Sequence, residues 1–421
     1  MNDPNGGARV DADASAPADR TDIERFSLAP GFHAAAVACG LKAAGALDLA
    51  LISSATPCAA AGVFTTNRVQ AAPVLYDRER LAGDPARIRA VIANSGCANA
   101  CTGPGGLADT RAMAAGVAKG LGCKAGQVLV LSTGVIGRRL DMARVERGIG
   151  LLAAGEAEPG ATAAARAIMT TDTRPKVAGA DLEIGGRPIA IRGFAKGAGM
   201  IHPDLATMLA VVTTDAGIAA VPLQAALESA ARRSFNRISV DGDMSTNDTV
   251  LLLASGSAGE VAGAAGLEAF TAALTACCAS LARQIARDGE GATRLVEIVV
   301  SGARDEGEAH RVADAIARSA LVRTAIHGGD PNWGRILAAA GASGVAIAPE
   351  RLSLTLGPPE AAVHVVEGGL PLECDLRAAA ATFRADPARV RLDLGQGAAA
   401  ATVWTCDLSA EYVAINADYT T

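Results

Sequence analysis

The sequence predicts a mixed α/β chain, of the α+β kind, in which helices cover sheets. Three observations carry this reading. Short apolar and β-branched runs, such as Ile88 to Ala93 and Leu295 to Val300, are bounded by Gly, Pro and Asn. Segments with apolar residues three and four apart alternate with these runs along the chain. Half of the 421 residues are hydrophobic but only 3% are aromatic, so the core must be Ala, Val, Leu and Ile, with helices packed closely on Ala and Gly.

The elements follow in order. Residues 34 to 66 alternate apolar segments with Gly, Pro and Asn, as sheet does. Ile88 to Ala93 reads as a strand feeding a loop at Asn94-Ser95-Gly96, and Arg111 to Leu121 has helical spacing. Gln127 to Leu131 reads as a short buried strand that ends at Ser132-Thr133-Gly134. Met142 to Ala153 and the Ala-rich Ala161 to Met169 are expected as helices, as is Leu223 to Ser234. Leu267, Phe270, Leu274, Cys277, Leu281 and Ile285 would line one face of a long helix. Leu295 to Val300 suits a strand, Glu308 to Leu321 a helix, and Trp333 to Ala340 the start of another. Val390 to Leu394, Ala401 to Cys406 and Tyr412 to Ile415 read as strands, the last closing the chain.

Composition narrows the function. The length suffices for a large core and exceeds what one core usually supports, so two or three domains are expected. The net charge of −6 is spread along the chain with no basic stripe, which excludes a nucleic-acid surface. Lys42 and Asp48 interrupt the nearest apolar run, so no membrane span of ~18 residues is expected. Residues 1–22 are rich in Asp, Ala, Gly and Pro and read as a disordered tail rather than a targeting peptide, which implies a cytoplasmic location. Nine cysteines at irregular spacing do not form a disulfide framework. Cys97 and Cys101 lie four apart without a nearby His and read as small buried thiols, not metal ligands. Asp241, Asp243, Asn247 and Asp248 imitate a calcium loop, but Leu252 stands where the closing Glu would be. They read as a polar loop supporting a site, with no metal. Gly395-Gln396-Gly397 lacks a third glycine at Ala400 and is no dinucleotide site. His327 precedes a Gly-Gly pair without a serine elbow, and His202 has no assigned role.

The chemistry concentrates in Lys196-Gly197-Ala198-Gly199-Met200-Ile201-His202-Pro203-Asp204-Leu205-Ala206-Thr207-Met208-Leu209. A hydroxyl beside a peptide carbonyl, held in a tight turn, can attack it; the amide becomes an ester and water completes the cut. Thr207 would then carry both a nucleophile and its own base, the α-amine. An α-amine has a reference pKa of about 7.7–8.0, so much of it could be neutral at working pH. Alone, an Ala-Thr pair is ordinary, and Thr207 would be a buried strand residue. Thr133 and Gly134 stand where a strand breaks into a Gly-containing loop, which can aim a hydroxyl and an N–H at an oxyanion. Lys196 suits a substrate carboxylate, and Glu290, in Asp288-Gly289-Glu290-Gly291, suits an ammonium.

Further blocks accompany this segment: Asn94-Ser95-Gly96-Cys97-Ala98-Asn99-Ala100-Cys101-Thr102-Gly103, Ser132-Thr133-Gly134-Val135-Ile136-Gly137, Met169-Thr170-Thr171-Asp172-Thr173, Asp241-Gly242-Asp243-Met244-Ser245-Thr246-Asn247-Asp248-Thr249, Asp288-Gly289-Glu290-Gly291-Ala292-Thr293, Asp330-Pro331-Asn332-Trp333-Gly334-Arg335 and Ile415-Asn416-Ala417-Asp418-Tyr419-Thr420-Thr421. In this order, from about residue 30 to the last, they resemble the ornithine acetyltransferases, also called glutamate N-acetyltransferases, of arginine biosynthesis. The resemblance implies stacked β-sheets sandwiched between helical layers, with smaller lobes and self-processing of the N-terminal-nucleophile type. It implies cleavage between Ala206 and Thr207 into an α chain (23–206 after the tail) and a β chain (207–421), paired as an α2β2 heterotetramer. It assigns Thr207 as nucleophile, Thr133 and Gly134 to the oxyanion hole, and Thr171, Lys196, Thr207, Glu290, Asn416 and Thr421 to substrate binding. It implies acetyl transfer from N2-acetyl-L-ornithine to L-glutamate through an acetyl-threonine, without cofactor or metal; some members also use acetyl-CoA as co-substrate. His202 stands where a small residue is usual, Asp204-Leu205 where Asn-Met is common, and Cys97 in place of Asn. Two other readings of the residues are an N-terminal-nucleophile amidohydrolase or aminopeptidase, with water as acceptor, and an uncut small-molecule binding protein.

Overall fold

The computed structural model describes residues 23–42, 45–202 and 208–418. The expected tail, Ala206, Thr207 and Thr421 lie outside the described residues. Nine strands make the first sheet: β1 (Phe32–Val37), β2 (Leu49–Phe64), β3 (Ile88–Cys97), β4 (Val128–Val135), β5 (Glu158–Pro159), β6 (Lys176–Ile184), β7 (Arg187–Lys196), β8 (Leu209–Thr214) and β9 (Thr249–Ala254). Their order is β4-β3-β2-β9-β8-β7-β6, with β1 on β2 and β5 on β1.

The 16-residue β2 makes this path fold over on itself. Its first part, Leu49 to Cys58, pairs with β1 and β3, and its end, Ala59 to Phe64, pairs with β9. The two halves of the sheet then lie face to face. Ile52, Val91 and Leu129 from one half share a cluster with Phe194, Val211 and Leu251 from the other. Because side chains alternate along a strand, the neighbouring residues point outward. Ala90, Ile92 and Val130 pack on α2 (Gly103–Leu121) and α3 (Met142–Ala154), which follow α1 (Ala72–Gly83). On the opposite face, beyond α4 (Ala161–Ala167), Ile191, Val212 and Leu252 pack on α5 (Ala220–Arg232) and α6 (Gly263–Arg287). The layers run helix, sheet, sheet, helix. Each fully buried Val, Leu or Ile contributes about 1.5–3 kcal/mol to this core.

A smaller lobe holds β10 (Leu295–Ala303), β11 (Ser353–Leu356), β12 (Val363–Glu367), β13 (Leu370–Pro371), β14 (Ala388–Asp393) and β15 (Ala399–Cys406), in the order β13-β12-β11-β14-β10-β15. Helices α7 (Glu306–Arg318), α8 (Ala320–Gly328), α9 (Trp333–Gly341) and α10 (Leu376–Arg384) share its core. The described residues end in α11 (Ala410–Asp418).

Several expectations are corrected. Tyr412 to Ile415 is helical, not a strand. The Ser409 hydroxyl donates to the Gly291 carbonyl at 2.6 Å and accepts the Glu411 N–H at 3.2 Å, which starts α11. The helical reading of 308–321 breaks at Ser319, whose side chain accepts the Val322 N–H at 3.3 Å and caps α8. Asn94-Ser95-Gly96 and Ser132-Thr133-Gly134 are not loops: they stay in β3 and β4, with Gly96 opposite Gly134. Cys101 is exposed rather than buried, while Cys97 is buried, and all nine cysteines are free. Finally, α6 is long and apolar enough to cross a membrane by length and composition, contrary to expectation. Nine of its residues are buried, Phe270 to Ala286 among them, against β6, β7 and α5, so it serves as a core helix.

Candidate active site

The ends of β3, β4 and β7 meet the starts of β8 and β9 at one edge of the sandwich. Lys196, the last residue of β7, pairs with Leu209 of β8. Its side chain is buried, with 2% of the residue exposed, and Nζ donates to Thr133 Oγ1 at 3.4 Å. Burial pushes this ammonium's pKa below the usual lysine range, opposed by the charge of Asp172. Next to Thr133, Gly134 has φ +129°, and a Cβ there would lie within 3.0 Å of Gly96 and Cys97 backbone atoms. Only glycine lets β3 and β4 approach so closely while leaving the Gly134 surface open. The Asn247 amide donates to the Ala98 carbonyl at 2.7 Å and the Ser132 carbonyl at 2.8 Å, fixing both strand ends.

Carboxylates hold the chain on either side of residues 203–207. Asp241 accepts the N–H groups of Met200, at 2.6 Å, and Ile201, at 2.8 Å. Asp248 is fully buried and accepts the Met208 N–H at 3.0 Å. Burial pushes the Asp248 carboxyl well above the usual range. The Glu290 backbone donates to the Ala198 carbonyl at 2.8 Å, and its carboxylate accepts the Asn416 amide at 2.8 Å. Gly199 faces that carboxylate without a side chain between them.

Thr133, Gly134, Thr171, Lys196, Glu290 and Asn416 line one cavity of about 90 Å³. Six residues expected from the sequence are thus brought together from stretches far apart in the chain. A larger hollow of about 990 Å³, between Arg78 of α1 and Gln224 of α5, contains none of them. His327 is held elsewhere, its Nδ1 2.7 Å from Asp407 Oδ2. Among the described residues no three His, Cys, Asp or Glu side chains gather as a metal site. Sequence reasoning missed two buried groups. Asp172 was part of a matching block without a role, and Lys176, at the start of β6, gave no signal because its partners lie 4 and 112 residues away.

Paired sheets between helical layers, with a buried polar cluster where the strands end, define an α/β enzyme fold with its candidate active site at one edge of the sandwich. The ArgJ family matches residues 33–421, and the chain belongs to that family, the acetyltransferases of arginine biosynthesis. The arginine biosynthesis bifunctional protein ArgJ of Parasynechococcus marenigrum is 48% identical over 391 residues, covering 93% of this chain and 94% of the relative. Those of Symbiobacterium thermophilum and Geobacter sulfurreducens are 49% and 47% identical over 93% of this chain, and 97% and 99% of their own lengths. Among solved structures, the chain is similar to the arginine biosynthesis bifunctional protein argJ of Bacillus halodurans, with 42% identity over 49% of this chain and 97% of that one, at a TM-score of 0.47. It is also similar to the ornithine acetyltransferase of Mycobacterium tuberculosis complexed with ornithine, with 48% identity over 42% of this chain and 92% of that one, at a TM-score of 0.38.

Proposed function

We propose that the chain cuts itself between Ala206 and Thr207 and then transfers the acetyl group of N2-acetyl-L-ornithine to L-glutamate. The Thr207 hydroxyl attacks the acetyl carbonyl while the Thr207 α-amine takes its proton. The C–N bond breaks, the proton passes to the leaving nitrogen, and ornithine departs from an acetyl-Thr207 ester. The glutamate amine then attacks that ester, giving N-acetyl-L-glutamate and free Thr207. One nucleophile serves both halves, so the kinetics are ping-pong.

The Thr133 hydroxyl and the Gly134 N–H meet the oxyanion; one such donor is worth about 10²–10³ in rate. Lys196 binds the substrate α-carboxylate and biases the protonation of the Thr207 amine. Glu290, oriented by Asn416, takes the substrate ammonium, and Thr171 and Thr421 complete the binding site. No metal or cofactor is required, because the substrate amide supplies the acetyl group. Acetyl-CoA is a second donor, a reading in keeping with relatives named bifunctional. The α (23–206) and β (207–421) chains stay together as α2β2 in the cytoplasm.

The observation that carries this reading is the convergence of Thr133, Gly134, Lys196, Glu290 and Asn416 on one cavity, beside the strand that Met208 leads into. The test is mass spectrometry of freshly purified protein beside an acetyl-transfer assay. Two fragments that begin and end at the Ala206–Thr207 bond are expected, with acetylglutamate rather than free acetate as product. Thr207→Ala should stay whole and lose ~10³-fold or more in turnover. A fully active uncut chain, or unchanged turnover in Thr207→Ala, refutes the proposal.

A further inference from the structure

Behind the cavity lies a charge cluster with no part in the steps above. Lys176 is fully buried, and its ammonium donates to Asp172 Oδ1 and to Asp288 Oδ2, each at 2.6 Å, with the Arg174 carbonyl at 3.4 Å. A buried ammonium is costly unless paired and hydrogen-bonded, and here two carboxylates do both. Each carboxylate also holds backbone. Asp172 accepts the Thr170 N–H at 3.0 Å and the Gly197 N–H at 2.6 Å. Asp288 accepts the Thr173 N–H at 3.0 Å together with its hydroxyl, and Arg174 approaches it at 3.7 Å. Thr170 precedes Thr171, Gly197 follows Lys196, and Asp288 stands two residues before Glu290. One ammonium therefore ties together the three segments that carry Thr171, Lys196 and Glu290.

We propose that Lys176 is a positioning residue for acetyl transfer: it sets the spacing of Thr171, Lys196 and Glu290 around an amino-acid substrate and occupies Asp172 so that Lys196 stays free for the substrate carboxylate. This rests on the cavity being the acetyl-transfer site. The charges that act on Lys196 are Asp172, Lys176, Asp248 and Glu290, with Lys42 also within range. Beyond burial, Lys176 lowers the Lys196 pKa and Asp172 raises it. Asp172 itself is held well below the usual carboxylate range: burial raises it, but Lys176, Lys196 and the Gly197 N–H outweigh that. Without Lys176, Lys196 loses a repulsion and is left as the main cation acting on Asp172. Its pKa then rises and its ammonium turns from the substrate. Lys196 is charged below its pKa, so binding is lost as pH rises through that value, and a higher pKa moves the loss to higher pH.

The test is Lys176→Met, measured by steady-state kinetics in both substrates across pH. Removing one partner of a buried pair can prevent folding, so Lys176→Met/Asp288→Asn, which removes one charge of each sign, is measured beside it, with Lys176→Arg as the charge-retaining control. The folded variants lacking the ammonium are expected to lose on the order of 10²-fold in kcat/KM, chiefly through KM, with the alkaline limb moved to higher pH. Lys176→Arg should recover part of the KM. An unchanged KM, or an alkaline limb that stays in place, overturns the proposal. Titration of the Lys196 ammonium by NMR needs no turnover. If the wild-type enzyme transfers no acetyl group, the functional reading fails on its own, and the Lys196 pKa, raised or unmoved in the variants, still decides the role of Lys176.

Discussion

A methyl group at position 199 would overlap the carboxylate of Glu290. That carboxylate is the far end of a flexible side chain, so it can move aside at little cost to the fold. Gly199→Ala is therefore expected to push Glu290 off Asn416, raise the substrate KM about 10-fold, and change kcat and the unfolding midpoint little; a tenfold change corresponds to about 1.4 kcal/mol. Steady-state kinetics beside thermal unfolding would check this. At Gly134 the obstacle is the Gly96 and Cys97 backbone, which cannot step aside. Two glycines of the same cavity thus matter for different reasons, one for the place of a carboxylate and one for strand packing. Carboxylates in the site also diverge. Burial alone raises an acid, and at Asp248 it prevails, whereas at Asp172 the lysines reverse it.

Among the elements, α11 brings Asn416 to the cavity yet buries none of its residues, and its Val413 is 65% exposed. Deleting Asn416 to Thr421 should therefore cost ~10²-fold or more in kcat/KM while the unfolding free energy stays within about 1 kcal/mol of the parent. Full activity in the truncated enzyme would contradict this. The same lack of burial explains why the sequence misled here. Val413 and Ile415 alternate with Ala414 and Asn416 as a strand would, and no core-facing stripe exists to signal a helix. Elements with a clear inward face were legible: α6 follows the stripe from Phe270 to Ile285, and β10 and β15 follow their β-branched runs. The hairpin of β6 and β7 was not, because its apolar residues are diluted by Arg, Asp and Glu on the exposed face. In the site, residues within glycine-rich blocks stood out, whereas Lys176 depends on pairing across 112 residues, which no local pattern carries.

At the scale of the molecule, the two sides of residues 203–207 are interleaved. Strands β8 and β9 lie between β7 and β2, which come from the other side. Both sides contribute to the two clusters that flank this sheet, Ile191 and Phe194 from one and Val211 and Val212 from the other. If the chain is cut as proposed, the fragments are expected to co-elute on gel filtration in native buffer and to separate only in denaturant. Fragments that part without denaturant would count against the cut lying between them. The consequence reaches beyond this experiment. A pair of ribbons held between another pair on both flanks has no sliding exit, so each molecule would keep its original partner for life. Mixing batches of wild-type and inactive enzyme should yield no hybrids within a protomer, and two halves made from separate genes would have to meet while still unfolded.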